Sequence, residues 1–401
     1  MSDHPPPLAG LAVLDASRVL AGPFCGQILG DLGAEIVKLE RPGVGDETRT
    51  WGPPFFGELS AYFLSCNRNK KSITLDLTRP EAAPILARLL DRSDILLENF
   101  LPDSAAKLGL RPAELLARHP RLIVCSISGY GRTGPMAGAP GYDFAIQGLS
   151  GFMSITGPVG GPPSKVGVAI VDVVTAHYAA IAILAAVHAR QSSGTGCRID
   201  LALHDCALAS QVNLAQAYLT SGTVPPRQGN AHLQIVPYEA FRTADDWLIV
   251  AVGNDGQWRA FCEAVERPDW AGEPRFATNP DRVRHRQELV PAIAAHLKTR
   301  SRAVWEAALR AAEVPCAAVR DYAAAFADPQ TIARGMKVRI RDAAGREIDL
   351  VGSPFRPDRP PTMPPRLGEH NDVVFRELGL TDAEIAELRC QGVVGNAEAQ
   401  G

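Results

Sequence analysis

The stretch LAVLDASRVLAGPFCGQILGDLGAEIVKLE, residues 11–40, decides the fold class. It holds a β-rich run over Leu11–Ala16, a helical pattern from about Pro23 to Leu32, and a second β-rich run over Glu35–Glu40. The alternation continues with a strand at Ser72–Leu77, a helix at Arg79–Arg92, a strand at Asp94–Phe100, a helix near Arg111–Arg118 and a strand at Leu122–Ser128. Strands that alternate with helical patterns predict a parallel, doubly wound α/β sheet.

Composition bounds what that sheet serves. The chain has 401 residues, 46% hydrophobic and 21% charged, enough to bury a large core and to suggest two domains. A net charge of −3 lacks the basic bias that nucleic acid or an anionic membrane calls for, so the expected partners are small molecules and further copies of the chain. The cysteines at 25, 66, 125, 197, 206, 262, 316 and 390 show no metal-ligand spacing, so no metal site and no disulfide framework is expected, and the cytoplasm is the expected compartment. The start, Met1–Pro7, lacks a basic-then-apolar signal, and no stretch of about 18 apolar residues is expected to span a bilayer.

The second half centres on Val168-Ala-Ile-Val-Asp172, a lone carboxylate before the Ala-rich helical pattern Thr175–Arg190, which has almost no polar face and should pack inside its domain. A strand at Arg198–Leu203 follows. SGTVPPRQG at 221–229 reads as a linker, because prolines and glycines stop helices and central strands. Beyond it come a hairpin, Tyr238–Arg242 with Trp247–Val252, and helical patterns at Gln257–Val265, Arg284–Thr299 and Ser301–Ala312. A proline-rich extended segment, Pro354–Pro365, precedes a last helix at Thr381–Gln391. The expected division is a large domain over 1–210, a linker over 211–230, a small domain over 231–330, and a segment over 331–401 that returns to complete the large domain.

Gly129, Gly131 and Gly134 spell G-x-G-x-x-G after a strand, but Pro135, Gly138, Pro140 and Gly141 follow where a dinucleotide fingerprint needs a helix. Nicotinamide and flavin binding are therefore not expected. No Walker loop, nucleophile elbow or H-E-x-x-H occurs. Asp172 has two compatible readings. It is a helix N-cap, or a nucleophile whose charge the positive helix end supports against burial.

The order of motifs carries further. LAVLDASRVLAGPFCGQILGDLGAEIVKLERP at 11–42, NRNKKSITLDL at 67–77, LLENF at 96–100, SISGYGRTGP at 126–135, GYD at 141–143, ITGPVGGPPSKVGVAIVD at 155–172 and LGEH at 367–370 together resemble the family III CoA-transferases across essentially the whole chain. Within the family the similarity is to dicarboxylate transferases such as succinate–hydroxymethylglutarate CoA-transferase, through DETRTWGPPF at 46–55, LSCNRNKKSI at 64–73 and IVPYEAF at 235–241. Two departures narrow it. The family's racemase has a histidine where this chain has Tyr142, and formyl-CoA transferase has a glutamine at the position of Leu20 and a glycine-rich loop missing near Asn230-Ala231-His232.

The resemblance implies a Rossmann-like large domain with a smaller α+β domain, in an interlocked homodimer. It implies transfer of CoA from an acyl-CoA to a free carboxylic acid, with acyl-CoA as substrate, no permanently bound cofactor and no metal. Asp172 takes the nucleophile's position and would form an aspartyl anhydride and then an aspartyl-CoA thioester. Tyr142, Asp143 and His232 would meet the substrate. Arg41, Leu75, Thr78, Asn99, Phe100 and Lys107 would line the CoA groove. Arg49, Arg68, Lys70, Lys71 and Arg132 are cations available to a dicarboxylate's free end, although charge runs are more often a wetted surface. A 2-methylacyl-CoA racemase and a non-catalytic CoA-binding protein are the alternatives.

Overall fold

The computed structural model describes residues 5–357 and 359–395 and divides into two compact units. The first comprises residues 1–151, 166–212 and 329–401, and the second residues 152–165 and 213–328.

The first unit is built on a six-stranded sheet: β1 (Ala12–Asp15), β2 (Glu35–Glu40), β3 (Lys70–Thr74), β4 (Ile95–Glu98), β5 (Ile123–Ser128) and β6 (Arg198–Ala202). All neighbours pair parallel, in the order β3-β2-β1-β4-β5-β6. This is the Rossmann order, which reverses direction between β1 and β4, and ligands of such sheets sit outside the carboxyl ends at that crevice.

Alternation along the strands sends one set of side chains to each face. Leu14, Leu39, Ile73, Leu96 and Val124 share a core with Leu86 and Leu89 of helix α2 (Ala83–Asp91) and with Val374, Phe375 and Ile385 from the end of the chain. The other face meets α1 (Ala21–Asp31) and the long α4 (Ile170–Ser193), with α3 (Asp143–Leu149) before it. Gly22, Gly26 and Gly30, spaced by four, lie on one side of α1. A Cβ on Gly26 would come within 2.9 Å of Asp15 Oδ2, and one on Gly30 within 3.2 Å of Ile36. The glycines let this helix sit close to the strands.

Beyond α4 come α5 (Leu203–Ser210) and α6 (Val212–Ser221). The expected linker over 211–230 is therefore helical in its first half, since VNLAQAYLTS has no glycine or proline, and linker composition begins only at Gly222. Residues 152–165, expected in the large domain, group with the second unit. That unit carries an antiparallel sheet of β7 (Tyr238–Arg242), β8 (Trp247–Ala251) and β9 (Cys316–Ala318), with Trp258, Phe261, Leu289, Ile293, Trp305 and Leu309 in its core. The segment over 331–401, expected to return to the large domain, contains a hairpin before its proline-rich stretch, β10 (Lys337–Arg341) with β11 (Glu347–Val351).

Two expectations for α4 are corrected. The helix is long and apolar enough to cross a bilayer, against the reading that no such stretch exists, and only 33% of that stretch is buried. Its inner face, with Ala176, Ala179, Ala180 and Ile183, is buried, while Ile181 is 63% exposed.

Candidate active site

At the crevice between β1 and β4 the chain makes a strained exit. After Asp15 the backbone passes through Ser17 and Arg18 to Val19, whose φ of 72° is left-handed and unfavourable for a β-branched residue. Asp46 holds it there, because the Val19 amide donates to the Asp46 carboxylate at 3.2 Å. Asp46 is in turn fixed by Lys38 Nζ at 2.9 Å, both side chains fully buried. Burial opposes the Asp46 charge, but Lys38 and the Thr48 donors outweigh it and hold the carboxyl at about 2. From the facing strand, Asn99 donates to the Arg18 carbonyl at 2.7 Å and accepts from the Arg18 amide at 3.0 Å.

On the other side, β5 is followed by Gly129, on which an added Cβ would come within 2.7 Å of the Gly141 Cα. The two backbones touch because both are glycine, and that contact returns the chain to Tyr142 and α3. Gly131 and Gly134 take positive φ in the loop between, so the G-x-G-x-x-G sequence is a turn device and opens no helix. Asp143 then reaches α4. Its Oδ1 accepts from the Val171 amide at 2.8 Å and its Oδ2 from Gln147 Nε2 at 2.7 Å.

These elements enclose a cavity of about 240 Å³ lined by Arg18, Leu20, Asn99, Phe100, Tyr142 and Asp172, among others. Asp172 lies in the first turn of α4, three residues in, with Ala169 at the N-cap, so the cap reading is replaced. Its carboxylate receives no hydrogen bond among the described residues. Burial first, then the like charge of Asp143, raise its pKa to about 7. The positive helix end does not overcome burial here. Tyr62 feels the same charge, its phenol being pushed up to about 12 by burial and then by Asp172.

A second cavity, of about 340 Å³, lies at the carboxyl ends of β1, β2 and β3 and is lined by Arg18, Arg41, Leu75, Thr78 and Phe100. Arg18 and Phe100 belong to both cavities.

The structure thus brings together Asp172, Tyr142, Asn99 and Phe100 in one cavity, and Arg41, Leu75, Thr78 and Phe100 in the next. Asp143, expected at the substrate, has both oxygens engaged, by the Val171 amide and by Gln147, and is not among the residues that line the Asp172 cavity. Lys107 ends an exposed short helix and lines neither cavity. His232 belongs to the second unit, where its Nδ1 accepts from the Gln234 amide at 3.1 Å.

The five cations held available for a dicarboxylate are all engaged by carboxylates. Arg49 binds Glu40 at 2.6 Å, Arg68 binds Asp31 at 2.5 Å, Lys70 binds Asp15 at 2.8 Å, Lys71 binds Glu35 at 2.6 Å, and Arg132 binds Glu98. Arg18 was overlooked. Its signal is position: it follows the first strand of a Rossmann-order sheet.

A Rossmann-order sheet with a desolvated carboxylate in a cavity at its switch point is the kind of place where such folds bind and act on an extended ligand. Residues 8–371 match the model of CoA-transferase family III, and the chain belongs to that family. It is 43% identical over 388 residues to a succinate–glutarate CoA-transferase of Agrobacterium fabrum, covering 94% of this chain and 97% of the relative. It is 37% identical over 397 residues to the human succinyl-CoA:glutarate CoA-transferase, covering 98% and 91%. The crystal structure of a CAIB/BAIF family protein from Brucella suis superposes with a TM-score of 0.82 at 42% identity, covering 94% of this chain and all of that one.

Proposed function

We propose that this family III CoA-transferase moves CoA from a dicarboxylyl-CoA such as succinyl-CoA to a free dicarboxylic acid of the glutarate kind, with Asp172 as the nucleophile. The observation that carries the reading is the Asp172 carboxylate: it faces a cavity, has no hydrogen-bond partner among the described residues, and is held by its helix. The curated relatives support the substrate class.

In the proposed course an Asp172 oxygen attacks the donor thioester carbonyl, the C–S bond breaks, and a mixed anhydride and CoA thiolate result. The thiolate attacks the aspartyl carbonyl, releasing the donor acid and leaving an aspartyl-CoA thioester. The acceptor carboxylate attacks that thioester, the C–S bond breaks to release CoA thiolate and a new anhydride forms; the thiolate then attacks the acceptor's acyl carbon, giving the new acyl-CoA and freeing the Asp172 carboxylate. The thioester's energy is retained throughout. Asp143 anchors the Val171 amide, and its charge adds to burial in holding the Asp172 pKa up at about 7. The cavity containing Arg41, Leu75 and Thr78 is the proposed seat of the CoA nucleotide end, and Lys107, Tyr142 and His232 are proposed as further substrate contacts.

The proposed assembly is an interlocked homodimer with a Rossmann-like large domain. Exposed apolar residues Ile181, Val212 and Leu219 on α4 and α6 support a partner there. The proposed compartment is the cytoplasm, which suits eight unpaired thiols, five of them buried.

The test is covalent capture. Incubation with succinyl-CoA followed by intact-protein mass spectrometry should show a CoA adduct on Asp172, absent in Asp172→Asn. Turnover by Asp172→Asn at the wild-type rate, or fast α-proton exchange of the acyl-CoA without transfer, overturns the reading.

A further inference from the structure

We propose that Arg18 is the residue that selects dicarboxylates, by binding the free carboxylate of the acyl group whose other end reacts at Asp172. This deepens the function proposed above and rests on Asp172 being the nucleophile.

Charge singles out Arg18. Among the residues that line the Asp172 cavity, Arg18 is the one cation, facing Glu47 and Asp172 as anions. A dianionic acid entering a cavity with that balance needs a positive partner for its distal end, since an unpaired carboxylate leaving water is strongly penalised. Of the other cations nearby, Lys38 and Lys70 are fully buried in ion pairs, Arg49 and Arg132 are held by Glu40 and Glu98, and Arg41 lines the second cavity and not this one. Arg18 differs. Its pair with Glu47, at 2.6 Å, is 45% and 42% exposed, so solvent screens it and a substrate carboxylate can take Glu47's place at small cost.

Placement agrees. The Arg18 backbone is clamped by Asn99 on one side, and the next residue, Val19, is held in its left-handed turn by Asp46. The guanidinium carbon lies 5.3 Å from the centre of the Phe100 ring, within cation–π reach. A planar fork fixed at its base suits bidentate carboxylate recognition. The cavity that Arg18 and Asp172 share is also lined by Val19, Leu20, Leu101, Ile127 and Leu203, an apolar lining that suits the methylene chain between two carboxylates.

The test compares succinate and glutarate with butyrate as acceptors in the wild type, Arg18→Gln, Arg18→Lys and Glu47→Gln, alongside calorimetric titration of free CoA. Arg18→Gln should lose on the order of tenfold to a hundredfold in kcat/KM for the dicarboxylates, through KM, while butyrate changes by less than about threefold. Arg18→Lys should recover part of the loss, because charge remains and the fork does not. Glu47→Gln should lower KM for succinate by freeing the guanidinium. The proposal is overturned if butyrate transfer falls in parallel with succinate, if free CoA binds more weakly to Arg18→Gln, or if succinate is used as well as before. Failure of the Asp172 reading looks different, since the CoA adduct would then be missing from the wild type. If Arg18→Gln still forms the adduct but keeps its preference for dicarboxylates, only the role of Arg18 falls.

Discussion

Two sets of buried charges lie within the first unit, and they are treated in opposite ways. Beneath β2, Lys38 meets Asp46 and Arg49 meets Glu40, every ion with a partner of opposite sign within 2.9 Å. At the start of α4, Asp172 has no hydrogen bond among the described residues and feels the like charge of a second carboxylate, Asp143. Pairing holds Asp46 down at about 2, whereas its lack leaves Asp172 near 7. The first arrangement fixes backbone; the second stores reactivity, because an acid without internal partners is free to bond to something else.

The strongest way to break the comparison is to neutralise each carboxylate in turn. Asp172→Asn should lower transfer by at least about a thousandfold, a loss typical of removing an acting nucleophile, as measured by steady-state thioester exchange. Its fold should not suffer. A folded pKa raised above the unfolded 3.8 means that stability falls as pH rises from about 4 to 7, and the whole penalty is present above 7. The asparagine should therefore stabilise the protein at pH 8, by about 1–2 kcal/mol once partial exposure is discounted, in urea melts.

Asp46→Ala should do the reverse. It strands Lys38 in the core and releases the Val19 turn, at a cost of about 3–5 kcal/mol. The paired replacement Lys38→Met with Asp46→Leu should return most of that stability, and full loss in the pair as well would contradict a purely electrostatic cost.

A pH series sharpens the contrast. Adduct formation with succinyl-CoA needs ionised Asp172, so its rate should rise through about pH 7 and level off above. Asp143→Asn removes the like charge but keeps an acceptor for the Val171 amide, so the midpoint should move to lower pH. An unmoved midpoint would leave burial as the whole cause.

The smallest expected effect is Asn99→Ala. It removes both bonds to the Arg18 backbone and should cost about 1–2 kcal/mol in thermal or urea unfolding.

Much of this was legible before any coordinates. The strand over Glu35–Glu40 and the hairpin of Tyr238–Arg242 with Trp247 onward could be read from local pattern, because side-chain period and turn residues act over a few positions. The strand expected at Ser72–Leu77 lies at Lys70–Thr74 instead, since two lysines disguise its start: Lys70 is drawn inward by Asp15. The β10–β11 hairpin was missed behind flanking prolines, although KVRIR and EIDLV alternate around an Asp-Ala-Ala-Gly turn.

The sequence by itself determined the βαβ alternation, the motif order of the family and the lone carboxylate at 172, since each is written in contiguous residues. Only the tertiary structure decided which charges are spent. Lys70 pairs across 55 positions with Asp15, and Arg68 across 37 with Asp31, so cations that look available along the chain are consumed in the fold. Arg18 is brought to the cavity by the crevice between β1 and β4, an accident of strand order that no local pattern contains. Charge pairing depends on distance in space, and that distance exists only once the sheet has formed.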